Sequence, residues 1–169
     1  MTKTSRMVND LLVHLFNNIL AMEEHAMTSG PFADTSMTEV HTIAAIGLGE
    51  PKSMSELAKA LRVTTGTLTV GIGNRVKKGY VERFRCAEDK RVVKVGLTKE
   101  GRRLCRLHDH FHAAMAETVL EELSEEETRL LLHTLTKLNV FMQTKYQSRD
   151  CSASCGQQNV GELPCISQN

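Results

Sequence analysis

The chain has 169 residues, 41% of them hydrophobic and 24% charged, with a formal net charge of +1; that suffices for one cored domain, or one domain with a tail. Aromatic residues make up only 4% and Trp is absent, which argues against recognition by ring stacking on sugars or nucleobases. No stretch approaches the ~18 apolar residues of a membrane span and the N-terminus shows no apolar signal region, so the expected location is cytoplasmic, with no membrane partner.

Leu11, Leu12, Leu15, Phe16, Ile19, Leu20 and Met22 recur at helical spacing and predict a helix over residues 4–27, ended by Gly30 and Pro31. A helix this long, this near the terminus, needs a packing surface, and a second copy of the chain is one candidate. Ser36 or Thr38 can cap the next helix, with Glu39 in its first turn. It is expected to reach about Leu48, before Gly49-Glu50-Pro51 breaks it. Ser53 and Glu56 form a capping-box pattern ahead of a short helix with Leu57, Ala58 and Leu61 inward. Arg62-Val63 reads as a tight turn. Thr64 or Thr65 caps a further helix to about Lys78, with Leu68, Ile72 and Val76 inward, and Gly79 stops it. Two short helices joined by a few residues make a helix-turn-helix, whose second helix enters the DNA major groove.

Residues 80–85 alternate apolar and polar, 87–90 are a polar turn, and 91–97 return as a second strand. Together they predict a β-hairpin with a charged tip, a wing, directly after the recognition helix. Thr98 opens another helix through Leu104, Leu107, Phe111 and Met115 to about Glu122. A second capping box, Ser124 to Glu127, starts a helix to about Tyr146 with Leu130, Leu131, Leu135, Leu138 and Phe141 on its apolar face. Residues 148–169 are polar and rich in Ser, Gln and Gly, the composition of a disordered tail. The expected fold is mainly α with a small β-hairpin wing: a winged helix-turn-helix with long terminal dimerisation helices. Residues 4–30 and 98–147 form the dimerisation region and residues 36–97 the DNA-binding lobe.

The near-neutral net charge conceals an uneven distribution. Residues 62–106 hold thirteen Lys and Arg against four acids, a local balance of +9, so the remainder carries −8. A basic middle between acidic ends suits a nucleic-acid-binding lobe in a larger scaffold.

Asp89-Lys90-Arg91, followed by Val92, Val93, Val95, Leu97 and Thr98, resembles the wing of the MarR family of bacterial regulators. The stretch Lys77-Lys78-Gly79-Tyr80-Val81-Glu82-Arg83 is similar to that family's link between recognition helix and wing, and the resemblance covers residues 4–147. Thr38 to Ile43, Glu50 to Glu56, Gly66 to Thr69, Arg83-Phe84-Arg85 and Arg106-Leu107-His108 further resemble the branch that represses fatty-acid synthesis in Gram-positive bacteria. That likeness implies a homodimer on a pseudo-palindromic double-stranded DNA operator, with long-chain acyl-acyl carrier protein as corepressor. The alternatives are a regulator of the same type sensing another small ligand, a metal or an oxidant, and a non-specific architectural DNA-binding protein. The sequence departs from the family at Arg75, where Leu is usual. Gly71 and Gly73 each cost ~1 kcal/mol against Ala within a helix, so the recognition helix is expected to be intrinsically weak.

On this reading the recognition helix offers Thr64, Thr65, Thr67, Thr69 and Asn74 to DNA, with hydroxyls for phosphate or base edges and methyls for thymine. Arg91 at the wing tip is the strongest single candidate, reaching into a minor groove narrowed by A·T pairs, with Asp89 shaping the turn. Lys77, Lys78, Arg83, Arg85 and Lys90 suit phosphate contacts, which set affinity but not sequence. The expected effector crevice is lined by Leu15, Phe16, Ile19, Met22, Ile43, Ile46, Leu107, His108 and Phe111.

His108 and His112 share a helix face while His110 points away; with only Asp109 and Glu117 as neighbouring acids, a polar rim of the crevice is the plainer reading than a metal site. The five cysteines are odd in number and unsuited to a known zinc module, so free thiols are expected; Cys86, near Arg83 and Arg85, is a candidate for redox chemistry. Gly71-Ile72-Gly73 is not a dinucleotide fingerprint, and no P-loop, HExxH or GxSxG occurs, so neither an enzyme nor a cofactor is expected.

Overall fold

The computed structural model describes residues 1–85 and 92–150. The elements run α1 (Lys3–Thr28), α2 (Met37–Ile46), β1 (Lys52–Ser53), α3 (Met54–Leu61), α4 (Thr65–Lys77), β2 (Val81–Arg85), β3 (Val93–Leu97), α5 (Lys99–Glu121) and α6 (Glu125–Asp150). They divide into two compact units, Met1–Thr118 and the remainder from Val119. The expected wing tip, with Cys86, Asp89, Lys90 and Arg91, lies outside the described residues, as do the tail cysteines Cys151, Cys155 and Cys165. Residues 148–150, expected to begin a disordered tail, continue α6.

Caps decide where the helices begin. Ser36, not Thr38, caps α2, and its box with Glu39 is complete. Ser53 and Glu56 form the same reciprocal pair at α3, and Ser124 and Glu127 do so at α6. Each box satisfies two backbone donors that the helix start would leave orphaned. Thr64 caps α4 by accepting from the Thr67 N–H at 3.1 Å. Helix α2 ends at Ile46, short of the expected Leu48, because Gly47 takes φ +75°, a left-handed turn that Gly adopts without penalty.

The hairpin pairs Val81 with Leu97, Arg83 with Val95 and Arg85 with Val93. A third strand, β1, adds to β3 through Lys52 opposite Val95 and Ser53 opposite Lys94, giving the order β1-β3-β2. Two residues are too short to carry a periodicity, so this strand had no sequence signature.

The first unit's core gathers Met27, Val40, Ile43, Leu57, Ile72, Val95 and Leu104, each at most 1% exposed. Around it Lys78 acts as a tie, donating to the Asp34 carbonyl at 2.6 Å and to Glu39 Oε2 at 2.9 Å. The Tyr80 hydroxyl donates to Asp34 Oδ1 at 3.1 Å. Burial opposes the charge on Glu39, but the Lys78 ammonium and the Ser36 N–H outweigh it and hold the carboxyl below its ordinary range. Burial, with Asp34 beside it, pushes the Tyr80 phenol up to about 12. Cys105 is a core side chain, and burial with the nearby Asp109 charge raises its thiol to about 11. It stays protonated at neutral pH and is a poor nucleophile.

Arg75 is buried at 5% exposure, whereas Val76, expected inward, is 38% exposed. The guanidinium occupies the apolar slot by donating Nη1 to the Gly71 carbonyl at 2.7 Å and Nη2 to the Thr38 carbonyl at 2.8 Å. Burial lowers its pKa from the ordinary value, with Glu39 opposing. A Cβ at Gly71 would lie 2.9 Å from Arg75 Nη1. The glycine and the arginine, two oddities of α4 in the sequence, are therefore one arrangement: the missing side chain makes room for the charge. Gly71→Ala is expected to destabilise the wild-type chain. In an Arg75→Leu background it should instead stabilise by about 1 kcal/mol, the usual Gly-to-Ala gain in a helix. Denaturant melts of the double-mutant cycle should give a coupling of about 1–2 kcal/mol; additive effects would refute the pairing.

Candidate nucleic-acid interface

With Leu68, Ile72 and Arg75 turned inward, the helical repeat puts Val70, Asn74 and Lys77 on the outer face of α4 and Thr69 on its flank, while Thr65 stands in the first turn on the Leu68 side; all five are exposed. Thr64 and Thr67 are exposed at its start, where their hydroxyls pair at 2.9 Å. Thr69 donates its hydroxyl to the Thr65 carbonyl at 2.7 Å. Its proton is thus committed, leaving an acceptor oxygen and a methyl for a partner. Asn74 presents an amide that can donate and accept together, the pairing used for adenine.

Val70 was not among the sequence candidates. It is 68% exposed at the centre of this face, an apolar side chain with no core role. Its signal was available: it stands half a turn from both Leu68 and Ile72, so any helix burying those two must expose it.

The hairpin brings further charge to the same side. Arg83 and Arg85 are exposed on β2. The Arg83 guanidinium lies along α4, its Nη2 3.9 Å from where a Gly73 Cβ would stand. Not all of the basic stretch faces a partner. Arg75 and Lys78 are tied internally as described, Arg102 donates to the Leu48 carbonyl at 2.8 Å, and Arg103 pairs with Glu100 at 2.9 Å. Lys78, expected at phosphate, is a structural tie because its ammonium is held by Asp34 and Glu39. Lys77, Arg83, Arg85 and Lys94 are exposed, so the surface charge of the described lobe is smaller than the +9 balance suggests.

The effector candidates separate. Met22, Leu107 and Phe111 line a cavity of about 390 Å³ between α1 and α5, together with Ala26, Met27, His110, Ala114, Met115 and Thr118. Ile43 and Ile46 do not face it; they are 0% and 1% exposed, inside the core. Leu15 and Phe16 are 55% and 60% exposed on the outer part of α1, and Ile19 is half-buried. His108 turns from the cavity toward Glu23, with Nε2 3.1 Å from the Glu23 carboxylate. The helical period explains the split: residues 107, 110, 111, 114, 115 and 118 share one α5 face, and 108 and 112 the next.

Among the described residues no helix is long and apolar enough to cross a membrane. The sequence pattern of the MarR family matches residues 35–93, the span from the cap of α2 to the start of β3. A solved structure of Streptococcus pneumoniae FabT in complex with DNA is 41% identical, with a TM-score of 0.79 over 83% of this chain and 98% of that one. The HTH-type transcriptional regulator BilQ of Clostridium symbiosum is 32% identical over 61% of this chain and 72% of its own. The HTH-type transcriptional regulator PchR of Bacillus subtilis is 25% identical over 65% and 67% respectively.

Proposed function

The chain belongs to the MarR family of DNA-binding transcription regulators, and from that premise we propose that it is a homodimeric, cytoplasmic repressor of fatty-acid synthesis genes with long-chain acyl-acyl carrier protein as its corepressor. The observation that carries the ligand class is the cavity between α1 and α5, whose lining is apolar except for His110 and Thr118. An acyl chain there would gain ~0.8 kcal/mol per buried CH₂. The motif likeness to the fatty-acid branch and the 41% identity to FabT point the same way. An acyl chain held by α1 and α5 favours one spacing of the DNA-binding lobes only if it binds that state more tightly.

Dimerisation is supported by apolar surface left uncovered on a single chain. On α1, Leu11, Leu15, Phe16 and Leu20 are more than half exposed; on α6, Leu130, Leu132, Leu135 and Phe141 are too. Two copies would present two α4 helices to successive major grooves about 34–36 Å apart. Thr65, Thr69, Val70 and Asn74 read base edges, Lys77, Arg83 and Arg85 hold phosphates, and Arg91, with Lys90 and Asp89, carries the wing into the minor groove.

Operator titrations by fluorescence anisotropy at fixed salt test both parts. Adding acyl carrier protein loaded with a long acyl chain should tighten binding at least tenfold. Unchanged affinity would remove the corepressor and leave the DNA-binding assignment standing. Arg91→Ala should weaken binding by about 1–3 kcal/mol and flatten the preference for A·T at the outer flank; an unaltered isotherm would contradict the wing contact.

A further inference from the structure

A polar cluster inside the first unit is used by neither the DNA-facing surface nor the cavity. Glu23 of α1 is 2% exposed. Its Oε1 lies 2.9 Å from His41 Nε2 of α2, 3.1 Å from His108 Nε2 and 3.5 Å from His112 Nε2 of α5. The two α5 nitrogens stand 3.2 Å apart. Three imidazoles from two helices thus turn the same nitrogen toward one buried carboxylate.

Hydrogen bonding accounts for this poorly. If one of the facing Nε2 atoms of His108 and His112 donates to the other, the acceptor ring has its lone pair turned toward the Glu23 carboxylate as well. The His108 Nδ1 is buried without a hydrogen-bond partner, and its nearest carboxylate, Asp109 Oδ1, is 3.6 Å away. A cation at the meeting point removes the conflict among the Nε2 atoms. Every Nε2 then offers a lone pair, the Glu23 charge is balanced, and His108 must carry its proton on Nδ1, beside Asp109. At 3.6 Å that carboxylate is an electrostatic neighbour of the outer nitrogen rather than a hydrogen-bond acceptor, on the side where a metal-bound His is usually supported.

The spacing agrees. Tetrahedral zinc with bonds of ~2.0–2.1 Å places its donors ~3.3 Å apart; Glu23, His41 and His108 hold their ligand atoms within 4.8 Å of one another, and His112 adjoins that group at 3.5 Å from Glu23 and 3.2 Å from His108. Three imidazoles and one carboxylate suit a borderline divalent transition ion rather than Mg²⁺ or Ca²⁺, which prefer oxygen. We propose that Glu23, His41, His108 and His112 form a binding site for a divalent transition metal, Zn²⁺ foremost, that fastens α1, α2 and α5 together.

The site has a route to DNA binding. Thr38, one helical turn before His41, gives its carbonyl to Arg75 of α4. A metal that fixes α2 fixes the support of the recognition helix. Leu107 and Phe111, beside the α5 ligands, line the cavity, so metal and apolar ligand act on the same two helices. This regulatory part rests on the DNA-binding reading; the metal site itself does not.

The test uses full-length, chelator-stripped protein titrated with Co²⁺ and then Zn²⁺. The site requires one Co²⁺ per chain with four-coordinate visible bands, without the sulfur charge-transfer band of cysteine ligation, and displacement by Zn²⁺. Glu23→Gln, which keeps the side-chain volume, and His108→Ala should each weaken Zn²⁺ binding at least 100-fold, with folding verified by metal-free circular dichroism. His14→Ala, an exposed α1 histidine, should not change it. Binding only through thiolates, six-coordinate binding, or binding that survives both ligand variants overturns the site. Zn²⁺ should also tighten operator binding about tenfold in the wild type and not in Glu23→Gln. Stoichiometric binding without that change overturns the regulatory role alone, while absence of operator binding with and without metal is a failure of the DNA reading.

Discussion

Gly101→Ala should destabilise the protein by ~3 kcal/mol or more, at the upper end for overpacking. Gly101 lies in the first turn of α5, where its N–H donates to the Thr98 cap at 3.1 Å. Thr98 in turn is stitched to the strand entry: its N–H donates to the Tyr80 carbonyl at 3.1 Å and its hydroxyl to the Gly79 carbonyl at 2.6 Å. This holds α5 so close that a Cβ on Gly101 would collide with the Tyr80 carbonyl, a backbone group with no rotamer to yield. Relief requires breaking the stitch or lifting α5 from Leu97, which would pull the α5 residue Leu104 out of the core. In a chain of this size the cost corresponds to a fall in Tm of ~6–12 °C, read at fixed protein concentration because association also shifts Tm. Gly73→Ala supplies the contrast. Its Cβ would meet only Arg83 Nη2 at an ordinary 3.9 Å, so it should raise stability by up to ~1 kcal/mol. Equal effects from the two substitutions would show that the close approach of α5 is not the cause.

Val70→Asp should weaken operator binding at least 100-fold, ~2.7 kcal/mol, while leaving Tm within a degree or two. Val70 is 68% exposed, so the folded chain loses little with it; surface changes of this kind fall within about ±0.5 kcal/mol. On DNA the same position would sit over base edges between phosphate rows. There a carboxylate meets a polyanion and loses water without a donor to replace it. Val70→Ala separates the causes: it removes the methyl contact without adding charge and should cost about 1 kcal/mol, concentrated at one base pair of each half-site. If Val70→Asp binds as the wild type does, α4 is not in the groove.

The local chemistry of the chain was legible because it is local. Ser53 with Glu56, Ser124 with Glu127 and the positive-φ stop at Gly79 each act within four residues, and the strand alternation from Tyr80 to Leu97 needed only its own neighbours. What escaped depends on contacts between distant segments. Arg75 looked like an intruder in an apolar slot until the Thr38 carbonyl, thirty-seven residues earlier, was placed beside it. Most candidates for the effector crevice were chosen as apolar helix faces, and periodicity cannot tell a face that lines a cavity from one that fills the core, such as Ile43, or one left uncovered, such as Phe16. The histidine cluster was half visible. His108 and His112 are one turn apart, but their facing nitrogens meet Glu23 on α1, beside His41 on α2, while the neighbouring Asp109 stands only at the outer nitrogen of His108. Glu23 did leave a trace: it stands on the inward stripe between Ile19 and Met27, where a carboxylate needs a reason.

Selection of bound sequences from a random double-stranded DNA pool by the full-length protein reaches the central claim most directly, because it assumes no operator. Two α4 helices related by a dyad predict enrichment of one inverted repeat, with half-site centres about 10 base pairs apart, bound by two chains and lost in Val70→Asp. A pool that stays random while binding persists at low salt, or enrichment of a site without dyad symmetry bound by a single chain, would contradict it.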